Sequence, residues 1–387
     1  MPSPDWIAAE EARDRLGVRP QTLYAYVSRG RVQVRPDPHD PRRSLYRAAD
    51  IAALTQRKAR SRKVSEVAAG AIAWGEPVLE SQITTVSGGR LFYRGRDAIK
   101  LAETETLEAV ARLLRGGHGA ALKRTERPVP PRAEDMRTRA FLALAARAGT
   151  DPPARGRNAL ALAVEAATLL DVLTDAVAGE VGGGAIHNRL ALAWGLGPGG
   201  PGADLIRRAL VLVADHELNA SAFSARVAAS TGASLSAAAL AGLATLSGPR
   251  HGGATAAVRT FAREAAQLGP RAAIANRLVE DRALPGFGHA LYPDADPRAA
   301  ALLERFDAPP ELAALRQAVE AAAGLAPNVD FALMAICEAL RLPQDAPFAL
   351  FAVARCAGWI AHALEQGQAD TLIRPRARYV GPEPEFG

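Results

Sequence analysis

Two cysteines in 387 residues are too few for a disulfide framework, and Cys337 and Cys356 both sit in apolar helical patterns without metal or redox spacing. Both therefore read as packing residues of a reducing compartment. Aromatic residues are scarce at 5%, while hydrophobic residues make up 49% of the chain, mostly Ala and Leu. That balance disfavours a sheet protein built on Val, Ile and Tyr and favours a mainly α fold. The start Met1-Pro2-Ser3-Pro4-Asp5-Trp6 lacks the basic segment and apolar run of a secretion signal, so a cytoplasmic location is expected. The uncharged stretch Val227 to Pro249 is long enough to span a bilayer, but its Ala, Ser, Gly and Thr insert poorly. It reads as a buried helical segment whose small residues let neighbouring helices approach. No fixed-period repeat is present.

The charge is unevenly distributed. The net charge is +6, and residues 1–64 alone carry 14 Lys and Arg against 7 Asp and Glu, so the body that follows is close to neutral. In the basic head, Ala8 to Leu16 reads as a helix, Gly17 as a turn and Pro20 as the first position of a second helix closed by Gly30. Arg31 to Val34 and Ser44 to Tyr46 could pair across Pro36-Asp37-Pro38-His39-Asp40-Pro41, and Ala48 to Arg60 reads as a further helix. Residues 1–64 thus resemble a MerR-type or excisionase-like winged helix-turn-helix. The likeness implies double-stranded DNA as a partner, with Gln21, Thr22 and Tyr24 toward bases and Arg29, Arg31, Arg42 and Arg43 on phosphates. A basic appendage used for protein contacts or dimerisation is the alternative.

In the body, Ser87-Gly88-Gly89-Arg90 reads as a tight turn between extended pieces, Leu101 to Leu114 begins the helices, and Arg124 to Arg137 is an exposed connection. Three later loops interrupt helical patterns with Gly or Pro and present one titratable side chain each: Ser247 to Ala254 with His251, Leu284 to Arg298 with His289, and Pro327 to Phe331 with Asp330. Glycines at 286 and 288 permit a sharp turn beside His289, and Asp296-Pro297-Arg298 adds a planar cation nine residues on. Taken singly, each loop histidine reads as a surface or satisfied residue and Asp330 as a helix cap. Asp215 to Ser221 adds His216; Arg355 and Arg374 add cations downstream.

The motifs HELNAS, GPRHGGA, LPGFGH with DPRA, PNVDF, ARCAGWIAH and RPRARYVG, in this order, resemble the signatures of the citrate synthase family, and the likeness begins at Thr84. It implies a two-domain helical fold after the winged head: residues 65–252 and 336–387 as the large domain, residues 253–335 as the small one. It also implies a tricarboxylic acid cycle transferase, a homodimer with no metal or bound cofactor, which condenses acetyl-CoA with oxaloacetate. A carboxyl with a reference pKa of about 3.9 can take a carbon proton only if the developing enolate receives a hydrogen bond in a water-screened site. By the resemblance Asp330 is that base, His251 stabilises the enol, and His289 polarises and protonates the ketone. His216, Arg298 and Arg355 would hold oxaloacetate, Arg374 would come from the partner subunit, and Leu284, Pro285, Gly286, Phe287 and Gly288 would meet coenzyme A. The chain departs from the family pattern at Ala290, Pro293 and Ala326, where basic residues that serve the coenzyme A phosphates are frequent; Arg282 or Arg250 could compensate. Two alternatives stay open: 2-methylcitrate synthesis from propionyl-CoA, and a DNA-binding regulator whose body senses a metabolite.

Overall fold

The computed structural model describes residues 5–18, 23, 26–27, 31–38, 40, 43–55, 79–117 and 127–384. The chain divides into two compact units, Met1–Glu80 and Ser81–Gly387.

The first unit contains a three-stranded antiparallel sheet in which Ser44–Arg47 lies between Trp6–Ala8 and Val34–Pro36, with Tyr46 opposite Ile7 on one side and Val34 on the other. The helix Ala9–Leu16 ends at Gly17, whose φ of 59° is the left-handed conformation a helix stop favours, and its N–H reaches the Arg13 and Asp14 carbonyls. Ile7, Ala12, Leu16, Leu23, Val32, Tyr46 and Ile51 form its core, and residues 48–55 are helical. The expected strand Arg31 to Val34 is displaced to Val34–Pro36, because Val32 turns into the core while Pro36 takes an edge position that needs no N–H. Trp6–Ala8 was not legible as a strand: three residues show no alternation, and its partner lies about forty residues on. Gln21, Thr22, Tyr24, Arg29 and Arg42 lie outside the described residues.

The second unit opens with the hairpin Thr84–Ser87 and Arg90–Tyr93, joined through Gly88 and Gly89. Both glycines have positive φ, 56° and 70°, as a two-residue turn matched to strand twist requires. A short strand, Arg96–Asp97, completes the sheet, and helices follow to Ala369. Their larger core is centred on Ala346–Ala369, packed against Ala220–Ser230 and Leu235–Leu246. The small residues of that pair allow the close approach: a Cβ on Gly242 would come within 2.6 Å of the Trp359 ring. Among the described residues Ala346–Ala369 is the helix with the length and apolarity to cross a membrane, and it is almost wholly buried as a core helix.

Three readings of the sequence are corrected. Val227 to Pro249 is two helices, broken at residues 231–234, where Ser234 caps the second by accepting the Ala237 N–H. Leu101 to Leu114 is likewise divided, into Ala98–Thr104 and Leu107–Leu114, because Thr106 accepts the Ala109 N–H and starts a new helix. The connection before Met136 is not wholly exposed. Its Arg127 side chain is buried, with Nη1 2.8 Å from Asp175, in a network where Arg189 pairs with Asp171 and Asp175.

A smaller core is built from residues between Val258 and Ala335, around Phe261, Phe287, Leu315 and Phe331. It gathers the helices Ala254–Leu268, Pro270–Val279 and Pro310–Ala323 with the first turns of Val329–Ala339. The loops carrying His289 and Asp330 leave this core; those carrying His216 and His251 leave the larger one.

Candidate functional site

Asp330 is placed by a cap. Asn328 accepts the Asp330 and Phe331 N–H groups and starts the helix Val329–Ala339, which puts Asp330 in its first turn. The same Asn328 donates from its side chain to the Gly288 carbonyl at 3.0 Å and from its backbone to the Gly286 carbonyl at 2.8 Å. Gly288 N–H in turn reaches Ala326 O at 2.9 Å, and Phe287 bridges Pro327. The loops bearing His289 and Asp330, forty-one positions apart, are therefore stitched into one piece.

Gly286 and Gly288 have φ of 87° and 73°, and a Cβ on Gly286 would meet Val258 and Phe331 near 3.0 Å. Leu284 and Phe287 point into the smaller core, the Phe287 ring lying tilted against Phe331 with centroids 5.1 Å apart. Of the five residues read as coenzyme A contacts, these two have buried side chains, 6% and 7% exposed.

Arg298 and Asp296 form a fully buried, two-pronged ion pair, Nε–Oδ1 2.9 Å and Nη2–Oδ2 2.8 Å. Asp296 also accepts the N–H of Arg298 and of Val329, which ties the His289 loop to the Asp330 helix a second time. The guanidinium lies over Tyr292, 5.4 Å from its ring, and the Tyr292 hydroxyl is 3.0 Å from His216 Nε2. His216 and His289 meet edge to face at 5.2 Å. His216 stands in a tight turn completed by Glu217, a non-glycine residue at φ 50° whose carboxylate accepts the Val86 N–H. Asn219 then caps Ala220–Ser230.

His251 follows the helix Leu235–Leu246, its Nε2 2.8 Å from the Ser221 hydroxyl and its ring 6.4 Å from Phe351. Arg355 lies over the same Phe351 ring, 5.0 Å from its centroid, its Nε donating to Val213 O at 2.7 Å.

Burial and the neighbouring guanidiniums decide the protonation states. Burial, reinforced by Arg355, lowers His251 to about 4, and burial with Arg298 lowers His289 to about 4. Burial, then the charges of Arg298 and Arg355, puts His216 well below the usual histidine range. All three imidazoles are neutral at pH 7. His289 Nδ1 accepts the Leu291 N–H at 3.1 Å, so its remaining proton is on Nε2. Asp330 moves the other way: burial raises it to about 6 against the opposing pull of Arg298 and Arg355. Its Oδ1 is sealed from solvent without a hydrogen-bond partner, and so is Arg355 Nη1.

His216, His251, His289, Arg298, Arg355 and Asp330 thus share one electrostatic environment, whereas Arg374 is exposed on the extended segment after Ala369 and forms no part of it within this chain. Arg31 and Arg43, in the first unit, are exposed. Sequence reasoning missed Tyr292, Asp296 and Ser221. Tyr292 and Asp296 stood inside the quoted loop, but their role depends on His216 and Val329 from distant segments. Among the described residues no group of three or more His, Cys, Asp or Glu could hold a metal ion.

Residues 175–376, a little over half of the chain, match the family model of the citrate synthase C-terminal domain. The chain is 40% identical over 191 residues to citrate synthase of Haloferax volcanii, covering 46% of this chain and 50% of that one. It is 33% identical over 228 residues to 2-methylcitrate synthase 2 of Corynebacterium glutamicum, covering 54% and 59%. The matches span about half the length of these curated relatives. Its fold is similar to the crystal structure of citrate synthase from Thermotoga maritima, with a TM-score of 0.66 and 26% identity over 81% of this chain and 96% of that one.

Proposed function

Because the chain belongs to the citrate synthase family, we propose that it condenses acetyl-CoA with oxaloacetate to give citrate and free coenzyme A, with no bound cofactor. One observation carries this reading: a buried acceptor without a donor, Asp330 Oδ1, and a buried donor without an acceptor, Arg355 Nη1, face an environment of three neutral imidazoles. Orphaned buried polar atoms are costly, and a substrate that supplies an acidic C–H and a carboxylate satisfies both.

The steps follow from the protonation states. The Asp330 carboxylate takes a proton from the thioester methyl. The enolate oxygen is held by the neutral His251 imidazole, which the Ser221 hydroxyl orients through Nε2. The new carbon–carbon bond forms at the ketone carbon, whose oxygen takes the Nε2 proton of His289, and water then cleaves the thioester. His216, Arg298 and Arg355 hold the dicarboxylate, and Arg374 reaches the site from the partner subunit of a homodimer. In this reading residues 253–335 move as a small domain against residues 65–252 and 336–387, closing over the substrates.

A thiol-release assay with acetyl-CoA and oxaloacetate tests it. The expected kcat/KM has a single acid limb near pH 6, falling tenfold per pH below it as Asp330 takes up its proton, while His251 and His289 stay neutral down to about 4. Absence of turnover refutes condensation and, if oxaloacetate still binds, leaves a metabolite-sensing body. Propionyl-CoA is the alternative co-substrate, favoured by the 2-methylcitrate synthase relative; one methylene is worth about 1–3 kcal/mol in a pocket, so the ratio of the two rates decides between them. Coenzyme A phosphate contacts are thin here: Ala290, Pro293 and Ala326 carry no charge, and Arg282 is engaged with Glu280 and Glu264.

For residues 1–64 we infer a winged helix-turn-helix that contacts double-stranded DNA. The exposed Arg31 and Arg43 and the basic excess of this segment support it. Affinity for duplex DNA should fall with a log–log salt slope of roughly −0.9 per phosphate contacted; binding that is absent or indifferent to salt overturns the inference.

A further inference from the structure

Behind the cleft lies a second set of charges that the proposed chemistry does not use. Arg226 Nε donates to His362 Nδ1 at 3.0 Å, and His362 Nε2 is 3.2 Å from Asp215 Oδ2. Asp215 and His362 are 0% exposed and Arg226 is 2% exposed. Because a guanidinium Nε only donates, His362 Nδ1 is the acceptor and its proton sits on Nε2, pointing at Asp215. Arg226 is balanced by Glu365, which also accepts the Gln82 N–H, and by the Gln366 amide oxygen at 3.1 Å. The imidazole is thus a fixed spacer between a buried cation and a buried anion.

Two of the groups around Asp215 belong to the keto-acid side of the proposed site. His216 is its neighbour in the chain. Arg355 donates to Val213 O, and while burial weakens the charge on that guanidinium, the Asp215 carboxylate favours it. The Asp215 carboxylate lies so close to the helix Ala346–Ala369 that a Cβ on Gly358 would be 2.4 Å from Oδ1. Tyr93, at the end of the early hairpin, donates toward the carbonyls of Val211 and Leu212, and Thr84 stands beside the Asp215 carboxylate. The hairpin motif and the AHALEQ segment thereby converge on one buried anion.

We propose that Asp215, held in place by His362 and Arg226, is a positioning residue for the dicarboxylate substrate: its charge sets Arg355 and its backbone sets His216. The inference rests on the condensation reading above, in that it assigns those two residues to oxaloacetate. It places the larger effect on oxaloacetate, since neither His251 nor Asp330 is hydrogen-bonded to this network.

Steady-state kinetics on the intact chain test it, with His362→Leu, His362→Gln and Asp215→Asn. Leu breaks both hydrogen bonds; Gln keeps an acceptor for Arg226 and a donor for Asp215; Asn removes the charge at nearly constant shape. For His362→Leu the KM for oxaloacetate should rise roughly tenfold or more while the KM for acetyl-CoA stays within about twofold, and His362→Gln should bring it back to within about threefold of the parent. Asp215→Asn should reproduce the rise, and gives the readout if His362→Leu fails to fold by circular dichroism. Equal changes in both KM values, or an unchanged oxaloacetate KM in a folded variant, overturn the positioning role while the active parent upholds the condensation reading. A parent chain that neither turns over nor binds oxaloacetate by calorimetry overturns both.

Discussion

Asp330→Asn, in the intact chain, should lower turnover about 10²–10⁴-fold and yet make the protein harder to unfold at pH 8. The two effects have one cause. An ordinary Asp titrates near 3.9, whereas burial raises Asp330 to about 6, so the folded state at pH 8 holds an ionised carboxylate where the protonated form would be more stable. The stability that protonation contributes is fully present below about 3.9 and is lost as pH rises through about 6. Replacing the carboxylate by an amide should therefore raise the unfolding free energy by about 1–2 kcal/mol at pH 8, less than the full shift implies because the side chain keeps an edge open to the cleft. The gain should shrink toward zero near pH 4. Urea unfolding at the two pH values checks it; an Asn variant less stable than the parent at pH 8 would show that the Asp330 carboxylate has a partner in solution and is not a base held at a cost.

Arg298→Met is the second large effect, and its sign is the reverse. The Arg298 side chain is 2% exposed and that of its partner Asp296 0% exposed, so truncation leaves a buried carboxylate without its cation. Breaking such a pair costs about 3–5 kcal/mol. The loss should also spread, because Asp296 accepts the Val329 N–H and thereby fixes the start of the Asp330 helix. The measurement is denaturant unfolding of Arg298→Met beside the double variant Asp296→Asn/Arg298→Met; the double variant should recover a large part of the loss, since it no longer buries a lone charge. A single variant within about 1 kcal/mol of the parent would mean that the pair is hydrated in solution.

The helical body, its Ala- and Leu-rich faces and the helix breaks within 247–254, 284–298 and 327–331 were all readable from local pattern, because apolar periodicity and Gly or Pro breaks are properties of short windows of chain. So was the tight turn at Gly88-Gly89. The split at residues 231–234 was not, since Ser234 caps a helix within a run of small residues where hydropathy does not change. Nor was the burial of Arg127, which depends on Asp175 nearly fifty positions away.

For the site, residue type and order were enough to nominate His216, His251, His289, Arg298, Arg355 and Asp330. Their chemistry was not contained there: an imidazole at about 4 and a carboxyl at about 6 arise from desolvation and from charges carried on other segments. The linkage of the His289 loop to Asn328, the Tyr292 hydroxyl on His216, and the Arg226–His362–Asp215 chain join positions that have no local relation. A linear pattern records which groups are available and what each prefers beside its neighbours. Dielectric environment and long-range hydrogen bonding exist only once the chain has closed on itself, and those two set the protonation states and the positions of these groups.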